Sequence, residues 1–390
     1  MSPRFFLSFD YAEAVLFCFL APLWTIHRSS GNDGTFALQK RALKKKVWES
    51  KGWERGEQLP GGAQGLTFLA RKRTDCPGEF NYVLKLLRRQ EDPNRRAMFC
   101  GEIRNMNLLD HPGIVKVEDT NAEQYSEDEE LYLITERITG EDFESRIREE
   151  VLSLADAVRL TVSVLHILGH CHSRGVVHRD IKPCHVILRN RLLTDPVLID
   201  FGLAYNDETQ PHGAESNPNE RKGNTFVTGP EHLIGSPGAN RTPASDIVQC
   251  LGLLYFALTK NYPGSLRAIG DKMPHEREPG IAFATDVAQW KRKAILRLLD
   301  RGFEWEPSNR WQSVDELVPP LEAVLADNEP RDLKLQSMLA DIVRRGKTDS
   351  KTSRIKVAQQ MAAEIIEVIE ASVSLGKKQA AEFLDISWQK

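Results

Sequence analysis

With 390 residues, 41% of them apolar and 27% charged, the chain has the makeup of a soluble globular protein rather than a disordered or fibrous one. A formal charge of −3 argues against a protein built chiefly to coat nucleic acid or an anionic membrane. Six cysteines, at 18, 76, 100, 171, 184 and 250, include no C-x-x-C pair, which weighs against a disulfide framework or zinc module and points to a reducing compartment.

Residues 1–46 stand apart from the remainder of the chain. Ala14 to Ile26 is apolar but only thirteen residues long, short of the roughly 20 that span a bilayer. Asp10 and Glu13 sit where the apolar run begins, and no clear cleavage site comes after it. A disordered leader and a basic linker, Lys40 to Lys46, is the first reading, with membrane contact through 12–26 the second. The chain is accordingly expected in the cytoplasm, with membrane anchoring as the alternative.

From Trp48 the pattern changes to short strands. Leu59 to Ala70 carries Gly62 and Gly65 between apolar residues, and glycines let backbone N–H groups approach phosphate oxygens with no Cβ in the way. Tyr82-Val-Leu-Lys-Leu-Leu87 reads as a strand with Lys85 inside it. A lysine in such a strand needs a carboxylate partner, and Glu102, in the helical stretch before His111-Pro112, is the candidate. Ser126 to Glu130 is an acidic run, read as a solvated loop. Ser153 to Ser173 has helical apolar spacing with Ser153 as N-cap; His166 and His170 on it read as ordinary helix residues rather than metal ligands.

Two further stretches carry the chemistry. Gly175-Val-Val-His-Arg-Asp-Ile-Lys-Pro-Cys-His-Val-Ile-Leu188 and Val197-Leu-Ile-Asp-Phe-Gly-Leu203 resemble the H-R-D and D-F-G signatures of the eukaryotic-type (Hanks-type) serine/threonine protein kinases, in the right order and at a fitting spacing. The resemblance runs in unbroken order from about residue 50 to 325. It implies an α+β, bilobal fold: a leader over 1–46, a kinase domain over 47–325 with a small β-rich lobe (47–135) and a larger helical lobe (136–325), and a helical tail over 326–390. It also implies ATP with Mg2+ or Mn2+, and a protein substrate.

By the same resemblance Asp180 would accept the proton of an attacking hydroxyl, while Lys182 would neutralise the migrating phosphoryl. The Asp-x-Lys spacing is that of serine/threonine kinases. Asp200 would hold the metal, since a hard cation wants carboxylate oxygen. Gly62 and Gly65 match the last two glycines of G-x-G-x-x-G; Pro60 replaces the first, and Thr67 stands where valine is usual. Lys85 would grip phosphate with Glu102 as its ion-pair partner. Thr135 would back the adenine pocket, Glu136 and Ile138 would offer it backbone groups, Asp142 would reach the ribose, and Val83, Ile187 and Ile199 would sandwich the base. Asp246 would accept N–H bonds from the H-R-D turn, and Arg310 would bridge to Glu231. Arg179 could pair with a phosphate on the segment from Asp200 to Glu231, where Thr209, Ser216 and Thr225 are the candidates.

Several positions depart from the pattern: His185 replaces the metal-binding asparagine, Asn224 a threonine, Leu251 a glycine and Glu306 an aspartate. Imidazole is a poorer ligand for magnesium than an amide oxygen. His185 therefore carries the alternative readings, a changed metal preference or a pseudokinase, a weakly active nucleotide-binding scaffold. In the tail, Ile355 to Val373 is amphipathic, and Gly376 to Ser387 resembles the start of a helix-turn-helix whose recognition helix is not there. Helical packing or a protein partner is the first reading for 326–390, dimerisation the second and a DNA-binding remnant the third; nucleic acid is not an expected partner.

Overall fold

The structure is a computed structural model, and it describes residues 46–59, 65–127, 129–206, 226–232, 242–267, 272–277 and 280–329. Readings placed on 1–45, on Pro60 and Gly62, on Thr209, Ser216, Asn224 and Thr225, and on the tail from 330 lie outside the described residues.

The strand-rich stretch from Trp53 to Glu136 folds into a sheet with two differently covered faces. A short helix α1 (Val47–Ser50) precedes β1 (Trp53–Leu59), so the strands begin a few residues later than Trp48. Then come β2 (Gly65–Lys72), β3 (Tyr82–Leu87), α2 (Pro93–Asn107), β4 (Val117–Thr120) and β5 (Tyr132–Glu136), and the strands pair antiparallel in the order β1-β2-β3-β5-β4. Successive side chains on a strand leave by opposite faces. Leu84 and Leu86 therefore join Trp53, Phe68, Ala70, Tyr132 and Ile134 in a small core on one face, and Trp48 of α1 completes it at 2% exposure. Leu87 and Leu133 on the other face meet Phe99, Ile103 and Met106 of α2.

The second half is helical. β6 (Gly140–Asp142), β7 (Val186–Arg189) and β8 (Pro196–Leu198) make a three-stranded sheet, with α3 (Phe143–Glu149) and α4 (Leu154–Ser173) between its first two strands. β9 (Val227–Thr228), α5 (Pro243–Thr259), β10 (Gly264–Ser265), α6 (Gln289–Gly302) and α7 (Val314–Glu322) complete the order. Ser153 caps α4 by accepting the Asp156 N–H at 3.1 Å. α5 is buried on all sides from Ala244 to Leu258, the mark of a helix at the centre of a core. The architecture is thus α+β in two lobes, a sheet-rich one followed by a helical one.

One buried ion pair ties distant parts of the helical lobe. Arg310 and Glu231 are each 1% exposed and joined by two bonds, one of them Nη2 to Oε2 at 3.1 Å. Arg310 also donates to the carbonyls of Glu304 (2.7 Å) and Trp305 (2.8 Å), so the guanidinium is widely satisfied. A Cβ at Gly229 would lie 2.2 Å from Glu231 Oε2, and only glycine leaves that bridge its room. Arg310→Met should cost about 3–5 kcal/mol in urea unfolding because it strands a buried carboxylate, and adding Glu231→Gln should recover part of that loss. Strictly additive effects of the two changes would show that the pair is not coupled.

Candidate active site

Three charged residues from remote parts of the chain meet between the lobes. Lys85 leaves the middle of β3; its Nζ donates to Glu102 Oε1 at 2.6 Å and to Asp200 Oδ1 at 2.9 Å. Glu102 rides on α2, which Asp92 starts by accepting the N–H groups of Asn94 and Arg95 at 3.0 and 3.3 Å, with Pro93 at the first helical position. Burial by itself would lower the lysine pKa, but the Asp200 and Glu102 carboxylates outweigh it and hold Lys85 above its ordinary range. At Asp200 burial works to raise the carboxyl pKa; the Lys85 charge reverses this and keeps the group well below the usual carboxylate range. Lys85 is therefore charged and Asp200 ionised at neutral pH.

What fixes α2 was not legible in the sequence. Arg96, one turn inside the helix and 5% exposed, donates to the backbone carbonyls of Gln90, Gln124, Tyr125, Glu127 and Glu129 at 2.6–3.3 Å. The acidic stretch after β4 is thus a loop whose backbone is knotted around a guanidinium, not merely a solvated excursion. Nothing in its composition announces this, because the partners are main-chain oxygens.

The catalytic-loop candidates depend on α5. Asp246 is fully buried and accepts the N–H groups of His178 (2.8 Å) and Arg179 (2.6 Å), while His172 Nε2 lies 2.8 Å from its Oδ2. Burial pushes the Asp246 carboxyl up, and the His172 bond and charge with the His178 and Arg179 contacts bring it below the ordinary value. Gln249, one turn on, accepts from Ile181 N at 2.7 Å and donates to Arg179 O at 3.1 Å. Sequence reasoning missed Gln249 and His172. A signal for Gln249 was present, since it is a polar residue at i+3 from Asp246 in an otherwise apolar helix. These four side-chain bonds hold Arg179 in the left-handed region at φ 68°, a conformation unusual for a residue other than glycine.

The loop so held presents its chemistry to the cleft. Lys182 Nζ donates to Asp180 Oδ2 at 2.9 Å, while Asp180 Oδ1 is buried with no partner among the described residues. Phe201 packs beneath, its ring 4.5 Å from that of His178. Asp200 is itself left-handed at φ 61°, and its side chain stays 37% exposed. His185 lies between the two acids: Nδ1 is 3.0 Å from the Asp180 carbonyl, and Nε2 is 3.4 Å from Asp200 Oδ2. Burial pulls the His185 pKa down to about 4 against the pull of Asp200 and Asp180, so the ring is neutral at pH 7.

Several residues read as nucleotide contacts occupy facing register positions on neighbouring strands. Thr67 pairs with Lys85 across β2 and β3, and Val83 with Thr135 across β3 and β5. A Cβ on Gly65 would come within 2.9 Å of Lys85 Cγ and 3.1 Å of the Leu86 carbonyl, which explains the glycine. Ile187 faces Asp142 in the β6–β7 pairing and is half-buried, while Ile138 and Ile199 pack at the rim of the main core. Glu136 is tied to Lys116 through its N–H (3.1 Å) and its Oε1 (3.0 Å). Asp142, expected to reach a ribose, also caps α3: its two oxygens take Ser145 N at 2.9 Å and Ser145 Oγ at 2.7 Å. A ribose contact would have to share that cap. The Arg179 guanidinium lies 5.7 Å from the Tyr205 ring.

Removing the Asp246 charge tests the brace. A carboxyl whose folded pKa is depressed adds stability that is complete above its unfolded value, about 3.9, and that drains away as pH falls through the folded value. Asp246→Asn is therefore expected to lower stability by about 3–5 kcal/mol at pH 7. The gap to wild type should narrow below about pH 4 when urea midpoints are compared.

With this geometry in hand, comparison with known proteins is direct. Residues 53–319 match the protein kinase domain family. A probable serine/threonine-protein kinase of Corynebacterium efficiens is 26% identical over 280 residues, 69% of this chain and 41% of that protein. The probable serine/threonine-protein kinase PknB of Corynebacterium glutamicum is 26% identical over 239 residues, 59% of this chain and 36% of the relative. A calcium/calmodulin-dependent protein kinase type II of Caenorhabditis briggsae is 34% identical over 166 residues, covering 42% of this chain and 28% of the relative. The chain thus spans about two fifths or less of the length of these relatives. By a match that covers well over half of its residues, this chain belongs to the protein kinase family.

Proposed function

We propose that this chain is a serine/threonine protein kinase that moves the γ-phosphoryl of ATP to hydroxyls on a protein substrate. The observation that carries the reading is the joining of Lys85 to both Glu102 and Asp200 beside an Asp180 whose Oδ1 is buried and unpartnered among the described residues. Oδ1 is an acceptor awaiting a donor, and a substrate hydroxyl would supply one. Lys182, bound to the other oxygen of Asp180, would bring positive charge to the phosphoryl in flight. Lys85 would orient the α- and β-phosphates, held extended by Glu102 so that its own motion costs little.

Asp200 fits a divalent cation: one oxygen is taken by Lys85, and the side chain remains more than a third open. Bound there, the ion would neutralise phosphate charge. Lys182-Pro183 and the Gly229-Pro230-Glu231 segment favour protein hydroxyls over small metabolites, and the relatives' names agree with serine and threonine. A nucleotide-binding scaffold, which His185 and Pro60 would favour, is the weaker reading, because all four charge-bearing positions are filled. A cytoplasmic setting suits the five free cysteines among the described residues.

Incubation with labelled ATP and a generic basic protein tests the reading. Asp180→Asn should cut incorporation by about 10²–10⁴-fold, Lys85→Met should abolish it to a similar degree, and the acid hydrolysate should contain phosphoserine or phosphothreonine without phosphotyrosine. Equal incorporation by wild type and Asp180→Asn would defeat the enzyme reading.

A further inference from the structure

His185 ends the short turn Pro183–His185 just before β7, and its side chain is only 10% exposed. Its main chain is pinned as well, for the His185 carbonyl accepts from Ile199 N at 3.0 Å. The ring cannot swing away easily, and its two nitrogens have different neighbours. Nδ1 lies 3.0 Å from the backbone carbonyl of Asp180 and 3.5 Å from its Oδ2, both of them acceptors. A carbonyl oxygen only accepts, so Nδ1 carries the hydrogen and Nε2 is left with its lone pair.

That lone pair faces Asp200 Oδ2 at 3.4 Å. Asp200 Oδ1 is engaged by Lys85 at 2.9 Å, and Lys182 is engaged by Asp180 Oδ2 at 2.9 Å, so neither lysine is spent on the pair of Nε2 and Oδ2. Two acceptors held against each other call for a cation between them. An oxygen at this position would suit magnesium, which prefers hard donors and keeps its waters. An imidazole nitrogen shifts the preference toward first-row transition ions, in the rising order Mn2+, Co2+.

We infer that His185 Nε2 and Asp200 Oδ2 act as a mixed nitrogen and oxygen donor pair that selects Mn2+ or Co2+ over Mg2+ as the ion that accompanies the nucleotide. The inference rests on the phosphotransfer reading above and names the metal class for that same site. Among the described residues no three histidine, cysteine or acidic side chains converge to hold an ion unaided. The ion therefore arrives with the triphosphate, whose oxygens complete its shell, and selectivity is to be read as nucleotide affinity.

The test uses the full chain and a non-hydrolysable ATP analogue, titrated calorimetrically in Mg2+, Mn2+ and Co2+. For wild type the affinity should rise by about tenfold or more from Mg2+ to Co2+, and His185→Asn should flatten that series. Pulsed electron paramagnetic resonance of wild type with Mn2+ and the analogue should reveal the hyperfine coupling of a directly bound imidazole nitrogen, a readout that does not depend on how well the variant folds. Binding of the analogue equally with every ion and without nitrogen coupling overturns the metal selection but leaves the kinase reading standing; a proton on Nε2, pairing the ring with Asp200, gives that same result. Failure to bind the analogue with any ion overturns both.

Discussion

A single ammonium group sits at the junction of the two lobes, and its charge balance sets the terms for everything near it. Lys85 is covered by the sheet and by α2, where an unpaired cation would be strongly disfavoured. It is stabilised by two carboxylates rather than one, from a helix on one side and the end of β8 on the other. With both carboxylates ionised the trio carries one negative charge in excess, although burial pushes the Glu102 carboxyl pKa up against the pull of Lys85, and Asp180 with Lys182 adds none. Because burial keeps the His185 ring neutral, the cleft retains that deficit of positive charge. Excess negative charge of this kind draws in divalent cations and repels bare anions.

Every other structural feature of the site can be read as holding this cluster in register. Asp246 and Gln249 leave α5, the most deeply buried helix, and grasp the main chain of the catalytic loop through its amides and one carbonyl. The loop conformation is strained at Arg179, and a helix in the core is the element stiff enough to maintain it. On the other lobe, the face of the sheet opposite the cleft has its own core around Trp48 and Trp53, so β3 is supported from behind as well as by α2.

Much of this was written in the sequence because its chemistry is carried by side chains at fixed spacings. Lys85 in an apolar strand required a carboxylate, and the H-R-D and D-F-G stretches fixed where Asp180 and Asp200 belong. The strand-rich first lobe followed from the short apolar runs after Trp48, and the N-cap of α4 from one serine. What escaped was of another kind. His172 and Gln249 act on main-chain atoms or through a residue already assigned, and Asp142 has a second, local task as the cap of α3. Trp48 reads in the sequence as the first residue of a strand, whereas it belongs to a helical turn whose indole is recruited by distant Glu130 at 3.1 Å. Contacts between backbone and remote side chains leave no period and no motif behind them.

Arg96 makes this concrete. The five oxygens that it gathers belong to peptide groups, so the identity of the residues that carry them hardly matters. Glutamates in that bend could be exchanged for almost anything and the clasp would persist, whereas lengthening or shortening the bend by one unit would dislodge the carbonyls and loosen the helix that bears Glu102. The region is thus permissive toward substitution and intolerant of insertion, a pattern of variation opposite to that of an ordinary surface turn.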